Sequence, residues 1–333
     1  MPDAAPILQV AGLVKHFPVR RGIFGRRQGS LIAVDGLSFC VHPSETLGIV
    51  GESGCGKSTT ARMIVKLIAP TSGTIHLHGE DITGLTERQM WRRRRQIQFI
   101  FQDPYASLNP RLSAGEIVGE SLHNYAVARG RALEERVAQL FVRVGLRGEH
   151  AKKYPHEFSG GQRQRLGIAR ALALNPRIIV ADEPVSALDV SVQAQVINLL
   201  MDLQREYGLS YLFIAHDLAV VQHICHRVAV MYLGRIVELA NKRDLFGSPQ
   251  HPYTQALLDA VPVPDPLRVR AVEALAGEVP SPVHPPPGCH FHTRCPYAEQ
   301  RCRLEVPAMR EVKPGHFAAC HLRPPLPGSD ETA

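Results

Sequence analysis

A glycine-rich run near the N-terminus has the residue types and spacing of a phosphate-binding loop. It follows a predicted apolar strand, opens a predicted helix, and consists of Gly51, Glu52, Ser53, Gly54, Cys55, Gly56, Lys57, Ser58 and Thr59. Its glycines let successive backbone N–H groups surround phosphate oxygens, and the start of the helix adds the positive end of a dipole. We expect Lys57 to reach the β- and γ-phosphates of a nucleotide and the Ser58 hydroxyl to bind Mg²⁺. Cys55 is expected to fill space in this loop and not to act as a nucleophile.

Two acidic residues, Asp182 and Glu183, end a second apolar run that begins at Ile178. In a parallel sheet this position is the carboxyl edge, where the phosphates would lie. We expect Asp182 to hold Mg²⁺ through water and Glu183 to polarise the attacking water as a general base. A strand that ends in two solvated acids is the alternative, which the phosphate-binding loop in the same chain disfavours. Together the two patterns indicate nucleotide hydrolysis.

A third pattern places a serine, two glycines and a glutamine at a predicted helix start, where they offer a hydroxyl and backbone N–H groups to an anion. These residues are Ser159, Gly160, Gly161 and Gln162, and Phe158 precedes them. The segment resembles the signature sequence of the ABC-type ATPases, in which most members have leucine in place of Phe158. This exchange of one apolar residue for another falls on the side that we expect to be buried.

Other motifs of that family follow in the family's order, and the resemblance implies a role for each. Gln102 is similar to the Q-loop glutamine, which also reaches Mg²⁺, and Asp189 to the D-loop aspartate. His216 resembles the switch histidine that senses the γ-phosphate, and Phe17 the aromatic residue that stacks on adenine. ABC-type ATPases dimerise head to tail around two ATP molecules. The resemblance therefore implies that the segment 159–162 acts on ATP held by the partner's phosphate-binding loop.

Short apolar runs alternate with helix-length segments through most of the chain, which predicts a parallel sheet covered on both faces. Residues 7–17 and 31–41 are predicted strands of an antiparallel β subdomain, with a basic loop at residues 20–30 between them. The expected fold is α/β, a P-loop NTPase of the ABC type with a helical subdomain at about residues 103–172. The composition, 44% apolar and 21% charged, excludes disordered, collagen-like and coiled-coil chains.

The proline distribution predicts a boundary near residue 247, because 16 of the 26 prolines come after it. Residues 1–247 are predicted to form the ABC ATP-binding domain. Residues 248–333 are predicted to form a small, irregular appendix rich in cysteine and proline. We expect no secretory signal and no membrane-spanning helix.

The chain is most similar to the ATP-binding subunits of bacterial oligopeptide and dipeptide importers. Cys55 within the phosphate-binding loop, residues 101–110 and residues 251–254 carry this resemblance, and Tyr105 makes it closest to the F-type subunit. It implies an ATPase on the cytoplasmic face of the inner membrane, peripheral to the bilayer. The implied partners are a D-type ATPase or a second copy, two transmembrane permease subunits and an extracytoplasmic peptide-binding protein.

Two alternatives to a peptide importer remain. Importers of nickel or glutathione share these motifs. A net charge of +7 also permits a soluble ABC ATPase that acts on nucleic acid, although charge alone cannot choose an anionic partner. A single phosphate-binding loop and the lack of heptad repeats disfavour that second alternative, so no nucleic acid is expected.

Four cysteines crowd the appendix at the spacing C-x5-C-x6-C-x17-C: Cys289, Cys295, Cys302 and Cys320. In a chain without a secretory signal such a group indicates a metal site before disulfides. The lack of C-x2-C pairs disfavours a zinc ribbon. Four thiolates are also the ligands that a [4Fe–4S] cluster uses. The resemblance to peptide importers favours the cluster, with Zn²⁺, disulfides or free thiols as alternatives. A redox or metal sensor that regulates the ATPase is a further interpretation of this segment.

Overall fold

The computed structural model describes residues 5–21, 26–260 and 277–327. The strands of this part of the chain are β1 Leu8–Arg21, β2 Arg26–Val41, β3 Thr46–Val50, β4 Ser72–Leu77, β5 Glu80–Asp81, β6 Ile97–Ile100, β7 Ile178–Asp182, β8 Ser210–Ile214, β9 Arg227–Tyr232, β10 Arg235–Asn241, β11 Arg310–Lys313 and β12 His316–Ala318. The α-helices are α1 Lys57–Ile64, α2 Glu87–Arg93, α3 Ala114–Asn124, α4 Gly130–Arg143, α5 Gly160–Leu172, α6 Val190–Tyr207, α7 Leu218–Ile224, α8 Lys242–Gly247, α9 Pro252–Asp259 and α10 Gln300–Leu304.

The larger sheet has eight strands in the order β11-β12-β10-β9-β3-β8-β7-β6. The five strands from β9 to β6 are parallel to one another, whereas β10 pairs antiparallel with β9. Strands β3, β7 and β8 are buried at every position, as parallel strands are when helices cover both faces. The predicted α/β architecture is confirmed, and the parallel strands bring their carboxyl ends to one edge.

The antiparallel subdomain is a four-stranded sheet in the order β2-β1-β4-β5. Its two long strands continue further than predicted, because β1 runs to Arg21 and β2 begins at Arg26. The prediction of a loop over residues 20–30 was therefore wrong for most of that segment, and residues 22–25 lie outside the described residues. An extended hairpin satisfies the backbone hydrogen bonds of this basic stretch, and a loop would leave them to water.

Helices α3, α4 and α5 lie within the predicted helical subdomain, and two short 3-10 helices, Gly148–Lys152 and Pro155–Glu157, connect α4 to α5. Buried side chains such as Ile117, Phe141 and Leu166 join this region to the core of the larger sheet. Of the described helices, none combines the length and apolar character that crossing a bilayer requires.

The appendix is more regular than predicted, because β12 pairs with β10 and β11 pairs with β12. The larger sheet thus continues into the C-terminal residues. Glu238 on β10 is fully buried, and its carboxylate accepts hydrogen bonds from the backbone N–H groups of Gln250 and His251 at 2.7 and 2.8 Å. A ring nitrogen of His316 lies 2.6 Å from the same carboxylate. These contacts attach the C-terminal residues to the larger sheet. The domain boundary near residue 247 stays a prediction.

Candidate active site

The phosphate-binding loop connects the buried strand β3 to helix α1, as the sequence predicted. Gly56, the residue before α1, has a left-handed φ of 106°, and a Cβ there would lie 2.1 Å from the carbonyl oxygen of Ala33. A Cβ on Gly51 would lie 2.1 Å from the carbonyl oxygen of Met231. Only glycine can occupy these two positions, so the loop can follow the curled path that a phosphate-binding backbone requires.

Lys57 holds its charge inside this loop. Its ammonium donates hydrogen bonds to the carbonyl oxygens of Gly51 at 2.7 Å and Glu52 at 3.0 Å, and the side chain is buried. Because the backbone fixes the ammonium, it can meet phosphate oxygens with little loss of side-chain entropy on binding. Burial raises the pKa of the neighbouring Cys55 thiol, which agrees with a space-filling residue and not with a reactive thiolate.

Nine of the predicted site residues line one cavity of about 250 Å³: Phe17, Ser53, Gly54, Gly56, Lys57, Ser58, Thr59, Gln102 and Glu183. Three lining residues were not predicted: Leu31, Ala33 and Pro282. Leu31 is the cross-strand partner of Phe17, so the pairing of β1 with β2 brings it to the cavity. Pro282 comes from the appendix, and no local signal in the sequence connects it with this cavity.

A larger cavity of about 570 Å³ lies at the opposite, amino edge of the sheet. It is basic and is lined by His78, Arg92, Arg95, Gln96, Leu174, Asn175 and Arg177. None of the predicted site residues lines it, so its size is no argument for placing the nucleotide there.

Two of the three predicted magnesium ligands, Ser58 and Asp182, are in direct contact. The Ser58 hydroxyl donates a hydrogen bond to the Asp182 carboxylate at 2.8 Å, although the two residues are far apart in sequence. Burial raises the pKa of the Asp182 carboxyl above its usual range, and the Ser58 hydrogen bond opposes this shift. Hydroxyl and carboxylate oxygens are the ligands that Mg²⁺ prefers, so this pair fits the metal that the sequence predicted.

Glu183 lies where three loops from neighbouring strands converge. Its carboxylate accepts a hydrogen bond from the Gln102 amide at 2.9 Å, and Nδ1 of His216 lies 3.2 Å from the same oxygen. Gln102, Glu183 and His216 follow β6, β7 and β8, which are adjacent in the sheet. Glu183 has a left-handed φ of 46°, a strained conformation for a residue with a side chain and one that concentrates at functional sites.

The signature segment is not part of this cavity. Ser159 is the N-cap of α5, where its hydroxyl accepts from the Gln162 backbone N–H at 3.3 Å while the Gln162 amide oxygen accepts from Ser159 at 3.0 Å. Ser159 and Gly160 are exposed, and so is Asp189 at the start of α6. A Cβ on Gly161 would lie 2.5 Å from a methyl group of Val192, so these two helix starts are packed together. As predicted, Phe158 is buried.

The four cysteines of the appendix are free thiols. Burial and the neighbouring thiols of Cys302, Cys320 and Cys295 raise the pKa of Cys289 to about 11. Within the described ranges, however, no three His, Cys, Asp or Glu side chains form a group that could hold a metal ion. The spacing of these thiols therefore does not fit a cluster as they stand, and the [4Fe–4S] cluster stays a prediction.

Comparison with known proteins gives two matching family models and many relatives. Residues 34–186 match the model described as ABC transporter, and residues 237–302 match the model described as oligopeptide/dipeptide transporter, C-terminal region. A probable peptide ABC transporter ATP-binding protein of Sinorhizobium fredii is 56% identical over 98% of this chain and 92% of its own length. The oligopeptide transport ATP-binding protein AppF of Bacillus subtilis is 54% identical over 95% of this chain and 97% of its own.

Solved structures agree with this relationship. The dimeric ATP-binding cassette MJ0796 bound to ADP and Pi is 29% identical, covers 71% of this chain and 99% of its own, and has a TM-score of 0.64. The cassette cbiO1 of Clostridium perfringens is 27% identical, covers 73% of this chain and 91% of its own, and has a TM-score of 0.61. The chain therefore shares its fold with solved ATP-binding cassettes. It shares nearly its whole given length with ATP-binding proteins of peptide transporters. The chain belongs to the ATP-binding proteins of the ABC transporters, in the oligopeptide/dipeptide transporter family.

Proposed function

We propose that this chain hydrolyses ATP to drive the import of peptides of the dipeptide or oligopeptide type. The observation that carries this proposal is the convergence of Gln102 and His216 on the Glu183 carboxylate, in the cavity that holds the Lys57 ammonium. A fixed ammonium and a backbone cradle suit the phosphates, and a carboxylate beside them suits the activation of water. The relatives named above are peptide and oligopeptide transport proteins, which supports the substrate class.

The residues of the cavity divide the work of hydrolysis. Mg²⁺ would neutralise charge on the phosphates, with Ser58, Asp182 and Gln102 supplying its oxygen ligands. Glu183 is held at one carboxylate oxygen by Gln102 and His216, which leaves its second oxygen to take a proton from water. Lys57 stabilises the negative charge that develops on the phosphate oxygens. Phe17 and Leu31 line the same cavity, where the ring of Phe17 would stack on adenine.

The proposed assembly contains two ATPase domains arranged head to tail. Ser159 and Gly160 are exposed and line no part of this chain's own cavity, which supports a role on a partner's nucleotide. The partner would be a D-type ATPase or a second copy of this chain. Two permease subunits would bind near Gln102 and the exposed Tyr105, on the cytoplasmic face of the inner membrane. An extracytoplasmic protein would deliver the peptide.

Purification of the complex from its native host tests this assignment. We expect a second ATPase, two membrane proteins and a peptide-binding protein to accompany the chain. In vesicles that contain this complex, ATP hydrolysis should rise when the loaded binding protein is added. If nickel or glutathione stimulates ATP hydrolysis and peptides do not, the substrate is nickel or glutathione and not a peptide. Recovery with ribosomes or nucleic acid and no membrane protein would overturn the importer.

We further propose that the cysteines of the appendix bind a [4Fe–4S] cluster when the protein is made in the cell, with Zn²⁺ or no metal as the alternatives. The side chains do not form a metal-binding group as they stand in the described part of the chain, so binding would require them to rearrange. Four free cysteines in a segment with little core of its own support a metal that would stabilise the fold. Anaerobically purified protein should be brown, absorb near ~400 nm and contain about four irons per chain. Colourless protein with one zinc per chain would exclude the cluster, and Cys302→Ser is the matched variant.

A further inference from the structure

The appendix contacts the phosphate-binding loop directly, through a pair of charged side chains. The Arg294 guanidinium donates two hydrogen bonds to the Glu52 carboxylate, at 2.8 and 3.1 Å, and its side chain is only 6% exposed. Arg294 lies in the turn between Cys289 and Cys295, whereas Glu52 is the second residue of the loop. We infer that Arg294 and Tyr253 are positioning residues of the nucleotide site, an inference that rests on the proposed function.

Tyr253 holds the same loop residue by its backbone. Its hydroxyl accepts a hydrogen bond from the Glu52 N–H at 2.9 Å, and the ring is fully buried. Glu52 is therefore fixed at both its backbone and its carboxylate by residues from the appendix. Two such anchors on one loop residue define its orientation, because a single hydrogen bond would leave it free to rotate.

A buried aromatic cluster supports the contacts of Arg294 and Tyr253 with Glu52. The ring centroids of Tyr232 and Tyr253 are 4.6 Å apart, and Phe291 lies 5.3 Å from the first and 5.4 Å from the second. Tyr232 ends β9, next to the point where Gly51 approaches that strand, and Phe291 belongs to the same turn as Arg294. The appendix thus packs against the main sheet behind the phosphate-binding loop. A movement of the turn between Cys289 and Cys295 would therefore move that loop.

The position of Glu52 matters for phosphate binding in two ways. Its carbonyl oxygen accepts a hydrogen bond from the Lys57 ammonium, so a displaced Glu52 releases one of the two backbone groups that hold Lys57. Its carboxylate is also a negative charge within the loop that must bind a polyanion. The Arg294 charge offsets that carboxylate, and its loss would let Glu52 repel the phosphates. Both effects lower the affinity for ATP.

The appendix reaches the cavity from a second side. The carbonyl oxygen of Pro282 accepts a hydrogen bond from the Ile32 N–H at 3.0 Å, which extends the edge of β2. Pro282 lines the cavity together with Phe17 and Leu31. The C-terminal residues therefore lie behind the loop that takes the phosphates and beside the aromatic residue predicted to take the base.

The test measures ATP affinity for the full chain and compares the loss of this ion pair with the loss of a similar one elsewhere. Arg227 and Glu45 form a half-buried pair at 3.1 Å at the amino end of the sheet, away from the cavity. We expect Arg294→Gln to raise the Kd for Mg-ATP about tenfold, the value of one charge-assisted hydrogen-bonded pair. Arg227→Gln should lower the melting temperature and leave the Kd within twofold of the original.

Further variants separate positioning from folding. Tyr253→Phe removes only the hydroxyl and should raise the Kd about threefold to tenfold. Arg294→Lys should lie between the original and Arg294→Gln, because it keeps the charge without the paired geometry. In a Glu52→Gln background, Arg294→Gln should raise the Kd for Mg-ATP little further, because the carboxylate that repels the phosphates is already absent.

Defined outcomes overturn the inference. If Arg294→Gln and Tyr253→Phe both fold and bind Mg-ATP within twofold of the original, these residues do not position the loop. An equal rise in Kd for Arg227→Gln would mean that general destabilisation, and not the loop, is responsible. Lys57→Ala is the negative control in the same assay and should abolish the binding of Mg-ATP. A failure of the original chain to bind ATP would instead refute the proposed function.

Discussion

Glu183 combines an unfavourable backbone conformation with two hydrogen-bonding neighbours, and this combination is best understood as fixing one carboxylate for chemistry. A left-handed φ costs a residue with a side chain on the order of 1 kcal/mol, which the Ile214 carbonyl oxygen partly offsets by accepting from the Glu183 N–H at 3.0 Å. Gln102 and His216 then set the direction of the side chain. These contacts therefore fix the position of the Glu183 carboxylate, at the expense of the free energy of folding.

Replacement of Glu183 by glutamine tests its role as the general base. The amide keeps the size of the side chain but cannot take a proton from water, so turnover should fall by at least about 10²-fold while Mg-ATP still binds. Single-turnover hydrolysis and nucleotide binding are the measurements. Glu149→Gln, at an exposed position, is the control. Undiminished turnover of Glu183→Gln in the assembled complex would remove this residue from its role.

His251 gives a prediction for the dependence of stability on pH. Burial lowers the pKa of His251 to about 4, while the Glu238 carboxylate opposes this shift and Arg323 adds to it. In the unfolded chain the group titrates near about 6.5. The unfolded chain therefore takes up a proton first, and stability that is complete above about pH 6.5 is lost as the pH falls towards 4, by about 3 kcal/mol at most.

Melting temperatures between pH 7 and pH 4 measure this effect. His251 accepts a hydrogen bond from the Tyr253 N–H at 3.1 Å and so begins α9. Asparagine can make the same kind of cap without titrating, so His251→Asn should flatten the acid limb of the curve. An unchanged slope in that variant would show that other groups control the loss.

The residues of the candidate site that lie in continuous motifs were predictable, and those that contact it from distant segments were not. Lys57, Ser58 and Glu183 each occur in a local pattern with a known chemical purpose. Arg294 and Tyr253 act on the loop from positions about 200 residues or more away in the chain, in segments that carry no phosphate-binding pattern. Only the folded chain brings them together, because their contact depends on how the appendix packs.

The start of helix α5 combines a role in folding with a proposed role in function. Ser159 and Gln162 form a capping box, and the same device, Ser113 with Glu116, begins α3 in the same helical region. The two serines are matched locally, but only Ser159 belongs to the motif that resembles the ABC signature. This pair separates the energetic value of a cap from the proposed contact with a partner's ATP.

Alanine at each of these two serines is therefore an informative comparison. Both Ser159→Ala and Ser113→Ala should lose about 1 kcal/mol of stability with the cap. Only Ser159→Ala should also reduce ATP hydrolysis by the assembled dimer, by about tenfold for a lost hydrogen bond to a charged phosphate. Equal activities of the two variants would contradict a role for Ser159 in hydrolysis. Thermal melts and steady-state ATPase assays measure the two effects.

Strands with a continuous apolar run were predictable, and strands that depend on pairing were not. The run in β7 indicates a buried strand without knowledge of its neighbours. By contrast, β11 reads Arg-Glu-Val-Lys and has no buried position, so it exists because β12 offers it an edge. The extension of β1 and β2 through a basic segment has the same origin. Register and edge pairing are tertiary properties that local sequence does not encode.

On the scale of the whole molecule, the cavity and the signature segment are separate surfaces of one chain. Lys57 and Glu183 line the cavity, whereas Ser159 and Asp189 are exposed at the starts of other helices. A second ATPase domain placed head to tail would bring one surface to the other. The structure of a related cassette was solved as a dimer, which agrees with this arrangement.

Glu183→Gln in the presence of Mg-ATP should accumulate as this dimer, because closure is retained and hydrolysis is not. Sedimentation or light scattering should show a shift from one ATPase domain to two, with a second copy or with the D-type partner. ADP should leave the protein monomeric, and Lys57→Ala should not respond to ATP. Full-rate hydrolysis by a strictly monomeric original chain would contradict the head-to-tail site.

The buried Glu238 carboxylate has a consequence for the chain's integrity. All of its described partners, at positions 250, 251 and 316, come after Gly247. A protease cut or premature stop codon at that point would strand a negative charge in the interior and leave β10 as an open edge. Such a fragment would keep every motif by which ATPases are recognised and yet be prone to aggregation. For this protein, we therefore expect the C-terminal residues to protect the preceding part of the chain from aggregation.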